Sequence, residues 1–206
     1  PITITLPVYN EERVIRERLE NLLALDYPAE RKHILVLSDC STDATDSIVQ
    51  EFSSRGVELC RLPVRGGKSA AENAAAAHLR GDIVINVDAT TRIFPESLKA
   101  LVRAFADPAV GVASGRIVSE GAGAGESNAG ESSYMGFEMH LRSLETRWHG
   151  IIGANGCFYA IRRQLYDGQF PPDLSRDFAS ALRAYEFGYR AVSVEEAACG
   201  VPRASS

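Results

Sequence analysis

The sequence predicts an α/β fold with a mainly parallel central sheet flanked by helices, and three observations point there. Strand-like runs alternate with helical patterns through the first half, as βαβαβαβα. The run "HILVLSD" is continuously apolar until its end, as expected of a strand buried on both faces, and in "DIVINVD" five of the six residues from Ile83 to Asp88 suit a buried strand. Three strands end in polar or acidic groups, "PVYNEE", "SDCSTD" and "VDATT". Ligands of open parallel sheets bind beyond those carboxyl ends.

The elements follow in order. "ITITLPV" (2–8) is the first strand, and a helix from about 11 to 24 follows with Asn10 as its N-cap. Residues 33–39 form the second strand and 43–54 the second helix. "VELCRL" (57–62) is the third strand, followed by an Ala-rich helix over 67–79. Residues 82–88 form the fourth strand, and a helix over 95–105 starts with Pro95 at a tolerated first-turn position.

The second half is less regular. A strand over 110–119 precedes "EGAGAGESNAG" (120–130), a Gly-rich stretch that predicts a mobile loop. Tyr134, Phe137, Leu141, Leu144 and Trp148 recur at steps of three and four, so an amphipathic helix is expected, its stripe packed into the core. A strand over 156–162, a helix over 178–188 and a strand over 190–196 complete the chain. There are no internal repeats. One domain is expected over 1–206, with a nucleotide-type half over 1–109 and a second half over 110–206.

The 206 residues suffice for a substantial core. A net charge of −5 argues against nucleic acid as the main partner. Cys40, Cys60, Cys157 and Cys199 lie in no CxxC pair and no zinc-type cluster, and read as reduced, mostly buried thiols of a cytosolic environment. No run of 18 apolar residues spans a membrane. The chain opens at Pro1 directly into a strand and ends in "VPRASS", so a piece excised from a longer chain is expected, with membrane segments outside it.

Four strand-end or helix-start acids and bases carry the chemistry. Asp39, right after "ILVLS", can accept hydrogen bonds from a base or a ribose, while Asp43 suits helix capping. "RGGKS" (65–69) is not a Walker A loop, because Leu62 stands where that motif needs glycine. Gly66 and Gly67 at a helix start, with Lys68, can still face phosphate. Asp88 closes a buried strand, where a lone carboxylate is costly unless it is paired or binds a metal. An acid there, near phosphates, suits a divalent cation. Asp177 sits at a helix N-terminus, where capping is the plain alternative to function.

The ordered set "PVYNEE", "SDCSTDAT", "RGGKSAAENAA", "VDATT", "GANGCFYAIRR" and "SRDFASALR" closely resembles the family 2 glycosyltransferases of the GT-A fold, a Rossmann-like nucleotide-diphospho-sugar transferase fold. It is most similar to the bacterial membrane-associated branch with polysaccharide synthases of the poly-N-acetylglucosamine, cellulose and hyaluronan type. The resemblance implies that Pro7, Tyr9 and Glu11 form the nucleotide-binding turn of the first strand. It implies that Asp39 contacts uracil and that Lys68 lies near the nucleotide. Asp88 and Thr90 fall on the first and third positions of the D-x-D motif, which holds Mg²⁺ or Mn²⁺ and the diphosphate. Gly153, Ala154, Asn155 and Gly156 match the loop beside donor sugar and acceptor, and Asp177 matches the catalytic base.

Two departures stand out. Thr90 replaces the second acid of D-x-D with a neutral, weaker ligand. Arg176 replaces the acid before the base, and a cation beside Asp177 is expected to lower its pKa. The Q-x-x-R-W motif of processive synthases is absent from this stretch.

The resemblance implies an inverting enzyme that moves a sugar from a nucleotide-diphosphate sugar, in the first instance a UDP-sugar, to a hydroxyl of a saccharide or lipid-linked acceptor. The catalytic domain is expected in the cytosol, at the cytoplasmic face of the inner or plasma membrane. A non-catalytic nucleotide-sugar-binding domain is the competing reading, favoured by Thr90 and Arg176. A nucleotidyltransferase or a Rossmann dehydrogenase would want a Gly-rich loop after the first strand, and "ITLPVYNEER" has none.

Overall fold

The structure, a computed structural model, describes residues 1–120, 141–166, 170 and 174–202. The first half runs β1 (Ile2–Val8), α1 (Ile15–Leu23), β2 (Lys32–Ser38), α2 (Thr45–Glu51), β3 (Val57–Arg61), α3 (Lys68–Ala74) and β4 (Ile83–Val87). The second runs β5 (Arg92–Ile93), α4 (Ser97–Arg103), β6 (Val110–Glu120), a helix α5 described over 141–148, β7 (Phe158–Arg162), α6 (Arg163–Tyr166), α7 (Arg176–Glu186) and β8 (Arg190–Pro202). The Gly-rich stretch and the stripe residues Tyr134 and Phe137 lie outside the described residues.

These strands make one eight-stranded sheet in the order β3-β2-β1-β4-β7-β6-β8-β5. The pairs β3/β2, β2/β1, β1/β4 and β6/β8 are parallel. The pairs β4/β7, β7/β6 and β8/β5 are antiparallel, so the sheet is mixed with a parallel majority. The apolar runs explain its burial. Ile34 and Val36 point to one face, with Ile15, Leu19, Val49 and Leu101 of α1, α2 and α4. Leu35 and Leu37 point to the other, with Ala71 of α3, Tyr166 of α6 and Ala181 of α7. The period-2 alternation of a strand thus feeds two cores from one run.

Several ends differ from expectation. Asn10 does not cap α1, which begins only at Ile15 after a Val14 cap position without a side-chain bond. Asn10 instead takes a left-handed conformation, φ 54°. β8 reaches Pro202 rather than stopping at 196, because "ACGVP" (198–202) pairs with the distal half of β6 after a register shift that sets residues 194–197 opposite Gly115. Of the expected buried stripe, Leu141, Leu144 and Trp148 are 46%, 45% and 88% exposed, so this part of the pattern faces outward. α5 is tied down by polar bonds instead, from the Arg142 guanidinium to the Gly153 carbonyl and from the Ser193 N–H to Thr146 Oγ1. The cysteines are free, but only Cys199 is buried; the other three are half-buried.

Gly115 is where three strands meet. A Cβ there would stand 2.5 Å from Phe158 Cδ1 and 2.7 Å from the Ala197 carbonyl oxygen. Gly115→Ala is therefore expected to lower unfolding free energy by about 1–3 kcal/mol, the usual cost of overpacking, as read from urea denaturation. An unchanged midpoint would show that the β6–β8 irregularity absorbs the methyl group.

Candidate functional site

The loops after β1 and β2 are stitched together by side chains bonding to the opposite backbone. The Asn10 amide oxygen accepts from the Thr42 N–H at 2.8 Å, and Asp43 Oδ2 accepts from the Glu12 N–H at 3.1 Å. Thr45 Oγ1 accepts from the Glu11 N–H at 2.8 Å. Among the described residues, Asn10 and Cys40, at φ 54° and 62°, are the non-glycine residues in the left-handed region. Each sits in one of these two loops, where strain is held by the surrounding bonds. Asp43 also accepts from the Thr45 N–H at 2.9 Å, so it does cap the start of α2.

Asp39 is 5% exposed at the end of β2. Its two carboxylate oxygens accept the N–H groups of Gly66 and Gly67 at 2.7 and 2.8 Å. In this arrangement Asp39 holds the glycine turn that launches α3. Gly67 takes φ 81°, which favours glycine. The turn also carries Arg65, whose guanidinium stacks on the Tyr9 ring at 3.9 Å from its centre.

Lys68, the first residue of α3, reaches the end of β4 and ion-pairs with Asp88 Oδ1. Burial disfavours the Lys68 ammonium, yet Asp88, and more weakly Glu72 and Asp177, raise its pKa. Pro7, Tyr9, Glu11, Asp39, Lys68, Asp88 and Thr90 all line one cleft of about 270 Å³. Within it, burial and then Asp43 raise the Glu11 pKa. Asp88 and Thr90 offer hard oxygen donors, so they would fit Mg²⁺ or Mn²⁺, which take oxygen ligands. Among the described residues no three His, Cys, Asp or Glu side chains gather to hold a metal unaided. Behind Asp88, burial raises the Cys157 thiol pKa and pushes that of Cys199 up to about 12, which disfavours the thiolate at both.

Asp177 lies in the first turn of α7 and lines a second cleft of about 480 Å³ with Gly153, Ala154, Leu141, Ile152 and Phe178, among others. The 153–156 loop is built against it. The Ala154 N–H approaches the Asp177 carbonyl at 3.4 Å, and a Cβ on Gly156 would come within 3.0 Å of Asp177 Oδ2. Asn155 anchors the loop, donating its N–H to Ser114 Oγ at 2.8 Å and accepting the Cys157 N–H at 3.0 Å. Asn155 and Gly156 thus shape this cleft without being among its lining residues.

Arg176 does not accompany Asp177 into the cleft. It is 4% exposed, lies between the Tyr166 and Phe170 rings at 3.9 and 4.3 Å, and donates to the Asn73 side-chain oxygen at 2.7 Å. Its charge is directed into the core, against the expectation of a cation facing the base.

Sequence reasoning missed Glu72. It is 1% exposed, one helical turn beyond Lys68 on the inner face of α3. Burial pushes its pKa up to about 7 against the pull of Lys68 and Arg176, with Asp88 and Asp177 raising it further. A single acid between Ala71 and Ala75, four residues after a lysine in an Ala-rich helix, was the available signal.

The profile of the family described as "Glycosyl transferase family 2" matches residues 3–170. The chain is 28% identical over 200 residues to the "Probable glycosyltransferase YdaM" of Bacillus subtilis, covering 91% of this chain and 47% of that protein. It is 29% identical over 172 residues to the "Beta-monoglucosyldiacylglycerol synthase" of Synechocystis sp., covering 81% of this chain and 36% of that protein. The chain therefore spans less than half of these curated relatives. Among solved structures, the mannosyltransferase PcManGT from Pyrobaculum calidifontis, in complex with GDP-Man and Mn²⁺, superimposes with a TM-score of 0.84 at 28% identity, covering 97% of this chain and 56% of that one.

Two predictions follow from this geometry. Asp39→Ala removes the acceptor of two N–H groups and is expected to cost about 2–3 kcal/mol in urea unfolding, while Asp39→Asn, which keeps one acceptor, costs about half as much. Glu72 has a folded pKa of about 7 against 4.5 unfolded, so the folded state binds the extra proton between those values. Stability should thus fall as pH rises from about 4.5 to 7, by an amount on the order of 3 kcal/mol. Glu72→Gln should flatten that slope in pH-dependent unfolding, and an unchanged slope would move the titration elsewhere.

Proposed function

The chain belongs to glycosyl transferase family 2, and on that premise we propose that it is the catalytic domain of an inverting transferase acting on a UDP-sugar. The acceptor is a hydroxyl of a saccharide or lipid-linked molecule, in cell-surface or extracellular polysaccharide or glycolipid synthesis. Residues 1–109 form the nucleotide-binding half and 110–206 the half carrying the base. One arrangement carries the reading: seven donor-side residues share a single cleft, and Asp177 opens into another within electrostatic reach of Lys68.

Tyr9, Glu11 and Asp39 surround the nucleoside, and Lys68 faces the diphosphate. Asp88 and Thr90 would hold Mg²⁺ or Mn²⁺, which supplies charge neutralisation to the departing diphosphate. The acceptor hydroxyl gives its proton to the Asp177 carboxylate. Its oxygen attacks the anomeric carbon from the face opposite the nucleotide, and the carbon–oxygen bond to the diphosphate breaks with its electron pair leaving on the diphosphate. The exposed Leu141, Ile152 and Phe178 around Asp177 favour an acceptor with an apolar portion. The catalytic domain then works at the cytoplasmic face of the membrane. Among the described residues no helix is long and apolar enough to cross it.

A GDP-sugar donor is the second reading, favoured by the likeness to a mannosyltransferase solved with GDP-Man. Calorimetric titration with UDP and with GDP, each with and without Mn²⁺, decides between them, and UDP is expected to bind more tightly. Asp177→Asn should lower sugar transfer about 100-fold or more while leaving nucleotide binding intact. Full transfer by that variant would remove Asp177 as the base. Nucleotide binding by the wild type without any turnover would favour a non-catalytic binding domain.

A further inference from the structure

Asp88 raises a question that the transfer reading leaves open. Its carboxylate is already neutralised by a cation of the protein itself, the Lys68 ammonium. A metal ion approaching Asp88 meets that ammonium, and Thr90 brings no second negative charge to outbid it. We propose that Lys68 is a built-in counter-ion of Asp88, so that the divalent cation is taken up together with the nucleoside diphosphate and not before it. This rests on the donor-site reading above.

Four observations carry it. Lys68 is half-exposed and Asp88 about a third exposed, so the pair sits at the cleft wall where a ligand can reach both. Lys68 follows Gly66 and Gly67, and its side chain leaves the very start of α3, where no earlier helical turn confines it. Other carboxylates, of Glu72 on the same helix and Asp177 across the site, attract the ammonium besides Asp88. Finally, the described residues gather no set of three ligands for a metal, so a bound cation depends on oxygens from outside the protein.

The charge balance then sets the order. Without diphosphate, a divalent cation would have to displace Lys68 for one carboxylate and one neutral hydroxyl. A diphosphate brings several negative oxygens, which accept the Lys68 N–H groups and coordinate the cation at once. Lys68 moves from Asp88 to phosphate, and Asp88 is freed for the metal in the same event. Thr90 acquires a reason: a second acid in its place would retain the cation whether or not nucleotide was present.

The test is Mn²⁺ binding, read by electron paramagnetic resonance of the free ion, with and without UDP. In the wild type, UDP should strengthen Mn²⁺ binding about tenfold or more, and Mn²⁺ should strengthen UDP binding by the same factor. Lys68→Met should bind Mn²⁺ about tenfold more tightly than the wild type without nucleotide, and show a smaller UDP effect. Thr90→Asp should gain nucleotide-free Mn²⁺ binding by the independent route of added charge. Adding Asp88→Ala to Lys68→Met should abolish the gain. Lys68→Gln, polar and of similar reach, serves the same comparison if the methionine variant misfolds by circular dichroism. Equal nucleotide-free Mn²⁺ affinity in wild type and both Lys68 variants would overturn the inference, as would wild-type Mn²⁺ binding that UDP does not strengthen. Failure of both UDP and GDP to bind under any condition would instead sink the donor-site reading, while the Mn²⁺ titrations without nucleotide still decide whether Lys68 guards Asp88.

Discussion

A carboxylate at the end of a buried strand cannot stand alone, and the site is organised around that constraint. Asp39 is satisfied by the Gly66 and Gly67 N–H groups, which fixes the turn into α3. That turn sets where Lys68 begins, and Lys68 satisfies Asp88. Two strand ends separated by β1 in the sheet are thereby joined through one glycine turn and one lysine. The cleft between them is what remains once both acids have been paired.

The same constraint explains which parts of the fold were legible in the sequence. The strands "HILVLS" and "DIVINV" were legible because two-sided burial leaves a mostly apolar run, broken in the second only by Asn86, that polar ends cut off. The acids that close them were legible for the same reason. Their partners were not. The bonds from Gly66 and Gly67 to Asp39 join residues 27 and 28 positions apart, and nothing local in "RGGKS" marks its N–H groups as taken. Asn10 failed as a cap for a related reason: its side chain found the Thr42 N–H across the loop rather than a helix N–H on its own side. Leu141, Leu144 and Trp148 show the limit of periodicity, which reports that a helix has an apolar face but not what lies against it.

Arg176 shows how adjacency in sequence misleads within a helix. Consecutive helical residues point about 100° apart, so neighbours in the chain do not face each other. Asp177 looks into the cleft, and Arg176 looks into the core between Tyr166 and Phe170. Its bond to Asn73 ties the start of α7 to α3, the helix that carries Lys68 and Glu72. Arg176, the departure from the acidic family pattern, therefore belongs to the scaffold behind Asp177 rather than to the cleft that Asp177 lines.

Glu72 links these pieces. It lies on the core side of α3, drawn toward ionisation by Lys68 and Arg176 and toward protonation by burial, Asp88 and Asp177. With a pKa near 7 its charge responds to changes around it, because neither tendency dominates. Lys68 starts α3 and Arg176 starts α7, so the charge on Glu72 is felt at the start of the helix that carries Lys68 and of the helix that carries Asp177.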